Sequence, residues 1–251
     1  MYTLKKSLGQ HFLKDRNIIQ RIIGALGELN FSRLLEVGPG GGALTGELLK
    51  IHDIDFKAVE LDSEKVTWLK QEFPAIEGKI LEADFLQTDL PFQEEFIVIG
   101  NFPYNISSQI LFKIIDWKEQ VPVVIGMFQK EVAERAASPS GSKAYGVLSV
   151  LVQAYYDVEY LFDVPPSCFN PPPKVMSGVI RLTRKKQSLN IASESAFRNL
   201  VKAAFNQRRK TLRNAVRAFF SPEVLKDEIF NKRAEQLNLD DFATLTFRMH
   251  T

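Results

Sequence analysis

The chain reads as an α/β protein: an open sheet with helices on both faces, followed by a small all-helical carboxyl-terminal domain. Three observations predict this. Arg33-Leu34-Leu35-Glu36-Val37 is a short apolar run followed at once by Gly38-Pro39-Gly40-Gly41-Gly42, and a helical pattern resumes from Ala43 to Lys50. Strand, glycine turn, helix is the βα unit that cradles nucleotides, because glycine permits both the tight turn and close approach of a ligand. Further apolar runs each end in a polar residue: Glu60, Asp84 and Asn101. Beyond residue 183, apolar residues recur at helical spacing and the charge balance turns positive.

In chain order, Lys5-Lys6-Ser7-Leu8-Gly9-Gln10-His11-Phe12-Leu13 mixes basic, glycine and aromatic residues and reads as an arm. Asp15 can cap a helix whose apolar positions are Ile18, Ile19, Ile22, Ile23 and Leu26. After the glycine turn, Phe56 to Asp62 is a second strand. Its Glu60 is placed to accept hydrogen bonds from both hydroxyls of a ribose. Lys79 to Phe85 is a third, with Asp84 able to accept from an adenine amine. The spacing Glu36-x-Gly38-x-Gly40-x-Gly42 differs from the dinucleotide fingerprint, in which two residues separate the last pair of glycines.

The fourth strand, Phe96 to Ile99, leads through Gly100 into Asn101-Phe102-Pro103-Tyr104 and then a helix-like segment, Ser107 to Trp117. That places the tetrapeptide at the carboxyl end of a buried strand, where open α/β sheets bind ligands. It suits a flat ring bearing an amino group. The Asn101 carboxamide oxygen and the carbonyl before Pro103 can both accept from an exocyclic NH2. Pro103 stiffens that turn, and Tyr104 offers a stacking face for a base turned out of its helix. Taken alone, the same residues also read as a strand-to-helix turn with no ligand.

Val121 to Phe128 is a fifth strand, with Gln129 to Ala137 as its helix and 138–143 as a loop. Tyr145 to Tyr155 is ambiguous between helix and strand. Val158 to Val164 and Gly178 to Thr183 read as an edge hairpin flanking the proline-rich 165–174, which holds Phe169 on a stiff loop. The sequence divides into a domain over 1–183 and a basic helical domain over 184–251. In the second, Arg209, Arg213 and Arg217 fall four apart and share one face if the helix is continuous. Ser221-Pro222 restarts a helix, and Arg233 to Leu239 gives a last short one.

Composition narrows the classes. With 251 residues, 45% hydrophobic and 25% charged, the chain has the make-up of a soluble globular protein. Its single cysteine excludes an internal disulfide and a cysteine-rich zinc site, and three scattered histidines point to no protein-bound metal. The amino terminus lacks a signal-peptide pattern and no run is long enough to span a bilayer, so a cytoplasmic, membrane-free protein is expected. The net charge of +2 conceals an asymmetry. Residues 1–173 carry 16 Lys and Arg against 23 Asp and Glu, whereas residues 174–251 carry 16 against 7. A basic tail on an acidic body suggests that the tail meets a polyanion.

These residues together resemble a known family. The glycine turn with Ala43-Leu44-Thr45, Asn101-Phe102-Pro103-Tyr104-Asn105-Ile106-Ser107, Leu8 to Leu13, Phe169-x-Pro171-Pro172-Pro173-Lys174-Val175-x-Ser177 and Phe205 to Leu212 match it in this order. The family is the ribosomal RNA small-subunit adenine N6,N6-dimethyltransferases (KsgA type), within the Rossmann-like class I methyltransferases that use S-adenosyl-L-methionine. The resemblance implies that His11, Leu13, Glu36, Gly38, Gly40, Glu60, Asp84 and Asn101 bind this cofactor. It implies that Asn101, Pro103 and Tyr104 receive the target adenine, with Phe169 on its other face. It also implies that Lys5, Lys6, Arg208, Arg209, Lys210, Arg213 and Arg217 contact RNA. The expected substrate is a pair of adjacent adenosines in the 3′-terminal hairpin of 16S rRNA, within the small ribosomal subunit, met by a monomer.

Three positions depart from the family's pattern: His11 stands where Asn is common, Phe102 where Leu or another apolar residue is common, and Val147 where Arg is expected. Two alternatives stay open from the sequence. One is a related methyltransferase acting on large-subunit rRNA or DNA adenine. The other is a ribosome-assembly factor that keeps the fold without catalysis.

Overall fold

The structure, a computed structural model, describes residues 11–27 and 29–250. The roles expected of Lys5 and Lys6 fall outside them. The elements of the body run β1 (Phe12–Leu13), α1 (Arg16–Gly24), β2 (Arg33–Val37), α2 (Thr45–Leu48), β3 (Asp55–Glu60), α3 (Ser63–Glu72) and β4 (Ile80–Glu82). They continue with β5 (Ile97–Asn101), α4 (Ser107–Asp116), β6 (Val123–Gln129), α5 (Lys130–Ala137) and α6 (Val147–Gln153). After these come β7 (Tyr156–Val164), β8 (Phe169–Asn170) and β9 (Ser177–Arg184). The helical remainder holds α7 (Glu194–Asn206), α8 (Leu212–Ala215) and α9 (Leu239–Thr246), with several 3-10 turns between them.

Seven strands form one sheet in the order β4-β3-β2-β5-β6-β9-β7. The first five are parallel, and β9 runs antiparallel to β6. The central strands are buried along nearly their whole length, with Leu34, Val98, Ile99, Ile125 and Met127 at 0% exposure in the core. Burial on both faces is why they read as unbroken apolar runs rather than alternating ones. From β2 the chain moves outward to β3 and β4, whereas β5 lies on the other side of β2 and leads to β6. The strand order therefore reverses between β2 and β5, and the crevice beyond their carboxyl ends is the ligand position of an open α/β sheet.

Local chemistry sets the helix starts. The Asp15 carboxylate accepts from the amides of Asn17 and Ile18 at 2.9 and 3.1 Å, capping α1 as its sequence predicts. Gly146 precedes α6, which settles the ambiguous Tyr145 to Tyr155 stretch as helix. Strand β4 is shorter than the predicted 79–85, because the chain turns at Asp84, whose carboxylate accepts from the Leu86 amide at 2.9 Å. The two predicted edge strands are neighbours in the sheet, with β9 inside and β7 outermost. A second, two-stranded pairing joins the arm to the proline-rich loop, Phe12 opposite Asn170 and Leu13 opposite Phe169.

Contacts divide the chain into two compact units. One holds the described residues up to Ala133 with Glu159–Arg184, and the other holds Glu134–Val158 with the described residues from Lys185 on. The division after Arg184 lies one residue from the sequence-predicted boundary. The stretch containing α6 is counted with the carboxyl-terminal helices.

Three expectations for the helical unit are corrected. Arg209, Arg213 and Arg217 do not lie on one continuous helix: α7 ends at Asn206, Gln207–Lys210 is a turn, α8 is a single helical turn, and Arg217 starts a 3-10 turn. Leu212 is buried and its amide donates to the Lys232 carbonyl at 2.8 Å, a tertiary bond that outweighs the helix propensity of the basic stretch. The helix expected from Ser221 is a pair of 3-10 turns, and the last α-helix begins at Leu239 rather than ending there. Among the described residues, no helix is long and apolar enough to cross a membrane.

Candidate active site

The carboxyl ends of β2, β3 and β5, the turn after β4 and strand β1 surround one cavity. It is lined by His11, Leu13, Glu36, Gly38, Gly40, Glu60, Asp84, Asn101, Pro103 and Tyr104, all of them sequence-predicted site residues. Each is delivered by a different local device. The glycine turn places Gly40 at φ +55°, a conformation that side chains resist, and a Cβ there would press on the Phe12 ring at 3.3 Å. Glu60, 7% exposed, is fixed at both oxygens: the Gly40 amide donates to Oε2 and the Asp62 amide to Oε1, each at 3.0 Å. A carboxylate oxygen has two acceptor positions, so one on each oxygen remains for a ligand hydroxyl.

Glu36 is different. It is 1% exposed, and its Oε2 accepts from the Thr45 hydroxyl at 2.7 Å. Burial pushes its pKa from 4.5 up to about 8, with the Thr45 bond opposing and the charge of Glu60 assisting. Burial thus favours the proton-carrying form of this acid at neutral pH.

At the end of β5, the Asn101 Nδ2 donates to the His11 carbonyl at 3.2 Å. A carbonyl can only accept, so this contact fixes which end of the carboxamide is nitrogen and leaves Oδ1 as the acceptor. The Phe102 amide donates to the Met127 carbonyl at 3.1 Å, which anchors the backbone one residue ahead of Pro103. The Phe102 ring is 1% exposed and packs 4.8 Å from the Phe128 ring. It occupies room left by Gly100 and Gly126, which face each other in register: a Cβ on either would collide with it. The two glycines are how the chain makes room for a ring as large as Phe at position 102. The Tyr104 hydroxyl and Ser177 Oγ lie 2.5 Å apart, and the His11 ring stacks on Tyr104 with centroids 5.6 Å apart. Burial pushes the Tyr104 phenol up, with the Ser177 bond opposing.

Phe169 does not line the cavity. It is 1% exposed and packs in the core cluster beside Leu13. Arg208, Arg209, Lys210, Arg213 and Arg217 are exposed in the other unit. Two of them are tied down there, Arg208 to the Lys143 carbonyl at 2.6 Å and Arg213 to the Leu225 carbonyl at 2.9 Å. Sequence reading missed Lys65, whose side chain lines the cavity at 2% residue exposure. Its ammonium lies 3.9 Å from an Asp62 oxygen and 5.1 Å from the centre of the Phe12 ring. A lysine two places into a capped helix reads as solvated, and nothing in its neighbours in sequence signals otherwise. Ser177 closes the proline-rich motif, and the sequence pattern assigns it no role.

Comparison with known proteins places this geometry. Residues 1–247 match the family described as Ribosomal RNA adenine dimethylase. The protein named Ribosomal RNA small subunit methyltransferase A of Cytophaga hutchinsonii is 50% identical over 246 residues, 96% of this chain and 95% of that one. Its namesake in Parabacteroides distasonis is 52% identical over 251 residues, covering 96% and 92%. Among solved structures, a dimethyladenosine transferase from Plasmodium falciparum has 28% identity and a TM-score of 0.79, covering 94% of this chain and 96% of its own. The 23S rRNA methyltransferase ErmE, at 24% identity and a TM-score of 0.68 over 93% and 99%, shares the fold. The sheet is that of a Rossmann-like class I methyltransferase, with its glycine turn, acidic strand ends and Asn101 tetrapeptide around one cavity. The chain belongs to the ribosomal RNA adenine dimethylase family.

Proposed function

We propose that this chain transfers methyl groups to N6 of two adjacent adenosines in the 3′-terminal hairpin of 16S rRNA, giving N6,N6-dimethyladenosine during ribosome biogenesis. Its family makes it an rRNA adenine dimethyltransferase with S-adenosyl-L-methionine as methyl donor. When bound, that cofactor supplies a methyl group on a positively charged sulfur that leaves as a neutral thioether. The cavity fits it: Glu60 keeps two acceptor positions for the ribose hydroxyls, Asp84 offers an acceptor for the adenine amine, and the buried Glu36 can ionise beside an ammonium. Gly38 and Gly40 let the backbone approach, while His11 and Leu13 close the cavity from the arm.

The chemical difficulty lies in the acceptor. The lone pair of an adenine amine is delocalised into the ring, so the nitrogen attacks only when it becomes pyramidal. Asn101 Oδ1 and the Phe102 carbonyl accept its two hydrogens and aim the lone pair into the cavity, while Pro103 stiffens the turn and Tyr104 holds the ring plane. The N–H becomes acidic as the new C–N bond forms, so its proton passes to solvent without a strong base. Placement supplies most of the rate. Phe169, 1% exposed and outside the cavity lining, supports the arm through the β1–β8 pair rather than touching the base.

The basic residues Arg208, Arg209, Lys210, Arg213 and Arg217, with Lys5 and Lys6, hold the phosphates of the small subunit's rRNA. On this reading the protein acts as a monomer in the cytoplasm, as its sequence leads one to expect.

The observation that carries this reading is the Asn101 contact with the His11 carbonyl, which leaves a carboxamide oxygen as acceptor at the cavity. Asn101→Ala should abolish dimethyladenosine formation on unmethylated small subunits while cofactor affinity changes only a few-fold. Near-parental turnover in that variant would sink the reading.

A further inference from the structure

Tyr104 is held from outside its own turn at two places. Its ring meets the His11 ring at 5.6 Å and 30°, and its hydroxyl bonds Ser177 Oγ at 2.5 Å. Ser177 is 0% exposed and opens β9, where it pairs with Gln129 of β6. The hydroxyl end of the ring is therefore anchored on the sheet, while its backbone belongs to the 3-10 turn Tyr104–Ile106 that follows Pro103. His11 is itself fixed, with Nδ1 at 2.9 Å from the Pro171 carbonyl and its own carbonyl accepting from Asn101. Since a carbonyl only accepts, Nδ1 carries the proton in that bond. The stacking ring, the amine-binding Asn101 and the arm are thereby joined in one hydrogen-bonded and stacked set.

We propose that Ser177 is a positioning residue for the target base: it tethers the hydroxyl of Tyr104 so that the stacking plane is set before RNA arrives. This rests on the reading of Asn101 and Tyr104 as the adenine receptor. Stacking on an aromatic face needs no hydroxyl, so a platform that merely stacks would work equally well with Phe at 104. A tether predicts otherwise. Without Ser177 the phenol loses a buried partner and the ring turns toward water, carrying the base plane with it. The nitrogen, held by only two hydrogen bonds, then meets the methyl off line, and misplacement by a fraction of an ångström lowers the rate without lowering affinity.

The test is a double-mutant cycle on Ser177→Ala and Tyr104→Phe, read by steady-state methylation of unmethylated small subunits and by calorimetry with S-adenosyl-L-methionine alone. Each single variant should lose about tenfold in kcat, with KM for the subunit and cofactor affinity within about twofold of the parent. The double variant should be no slower than either single one, because both remove the same bond. Losses that multiply, or a KM change without a kcat change, would overturn the tether and leave Ser177 a packing residue. If Ser177→Ala does not fold, Tyr104→Phe decides alone: it keeps the ring, and parental kcat in it overturns the proposal. Asn101→Ala separates the layers. Activity retained there removes the receptor reading itself, whereas an inactive Asn101→Ala beside a fully active Tyr104→Phe removes only the tether.

Discussion

Replacing Glu36 with Gln isolates a proton that the fold itself retains. The carboxyl is 1% exposed and burial raises its pKa from 4.5 to about 8, so between those values the folded chain binds a proton that the unfolded chain has released. Stability must then fall as pH rises through that window, opposite to an ordinary salt-bridged carboxylate. The slope is roughly 1.4 kcal/mol per pH unit for one proton, so the whole window represents on the order of 5 kcal/mol. Gln keeps the size of the side chain and an oxygen for the Thr45 hydroxyl, and cannot ionise. Urea unfolding of the cofactor-free protein at pH 5 and pH 8 should therefore show parent and variant close together at the lower pH. At the higher pH the variant should be more stable by several kcal/mol. The same buried acid is the group we place beside the cofactor's ammonium, so the stabilised variant should also bind S-adenosyl-L-methionine more weakly. A parent-to-variant difference that is equal at both pH values would refute the buried, protonated acid.

Two other perturbations test separate parts of the account. Gly126→Ala puts a methyl group into the Phe102 and Phe128 rings, and such overpacking costs about 1–3 kcal/mol. Adding Phe102→Leu should return part of that loss in urea unfolding, and strictly additive losses would show that the glycine makes room for something else. Replacing Arg209, Lys210 and Arg217 with Gln should weaken binding to small subunits and lower the slope of log K against log salt. Each lost phosphate contact contributes about 0.7–0.9 to that slope. An unchanged slope would put the phosphate contacts elsewhere.

How much of this was legible in the sequence follows from the range of the forces involved. The glycine turn, the Asp15 cap and the run into Asn101 are local or one-strand features, and all were found where the pattern put them. Glu36, Glu60, Asp84 and Asn101 were readable as a set because strand ends in an open sheet converge by topology. The contacts that orient them were not. His11 to Pro171, Tyr104 to Ser177 and the β1–β8 pairing join residues 73 to 160 positions apart, and no local pattern encodes them. The basic stretch misled for a related reason. Its residues favour helix, but the Leu212 amide bond to Lys232 and the extended Thr211 end the regularity. Helix α9 did carry a local sign, Asn238 and Asp241 bonded to each other's amides at 2.8 and 3.0 Å, a capping pair that the sequence reading passed over.

The most direct test of the central claim is to incubate the protein with labelled S-adenosyl-L-methionine and unmethylated small subunits, and then to map the label in the RNA. The account predicts label on N6 of two adjacent adenosines in the 3′-terminal hairpin of 16S rRNA, recovered as dimethyladenosine, and none with Asn101→Ala. Label on large-subunit rRNA instead, or no transfer from a protein that binds the cofactor and the subunit normally, would contradict it.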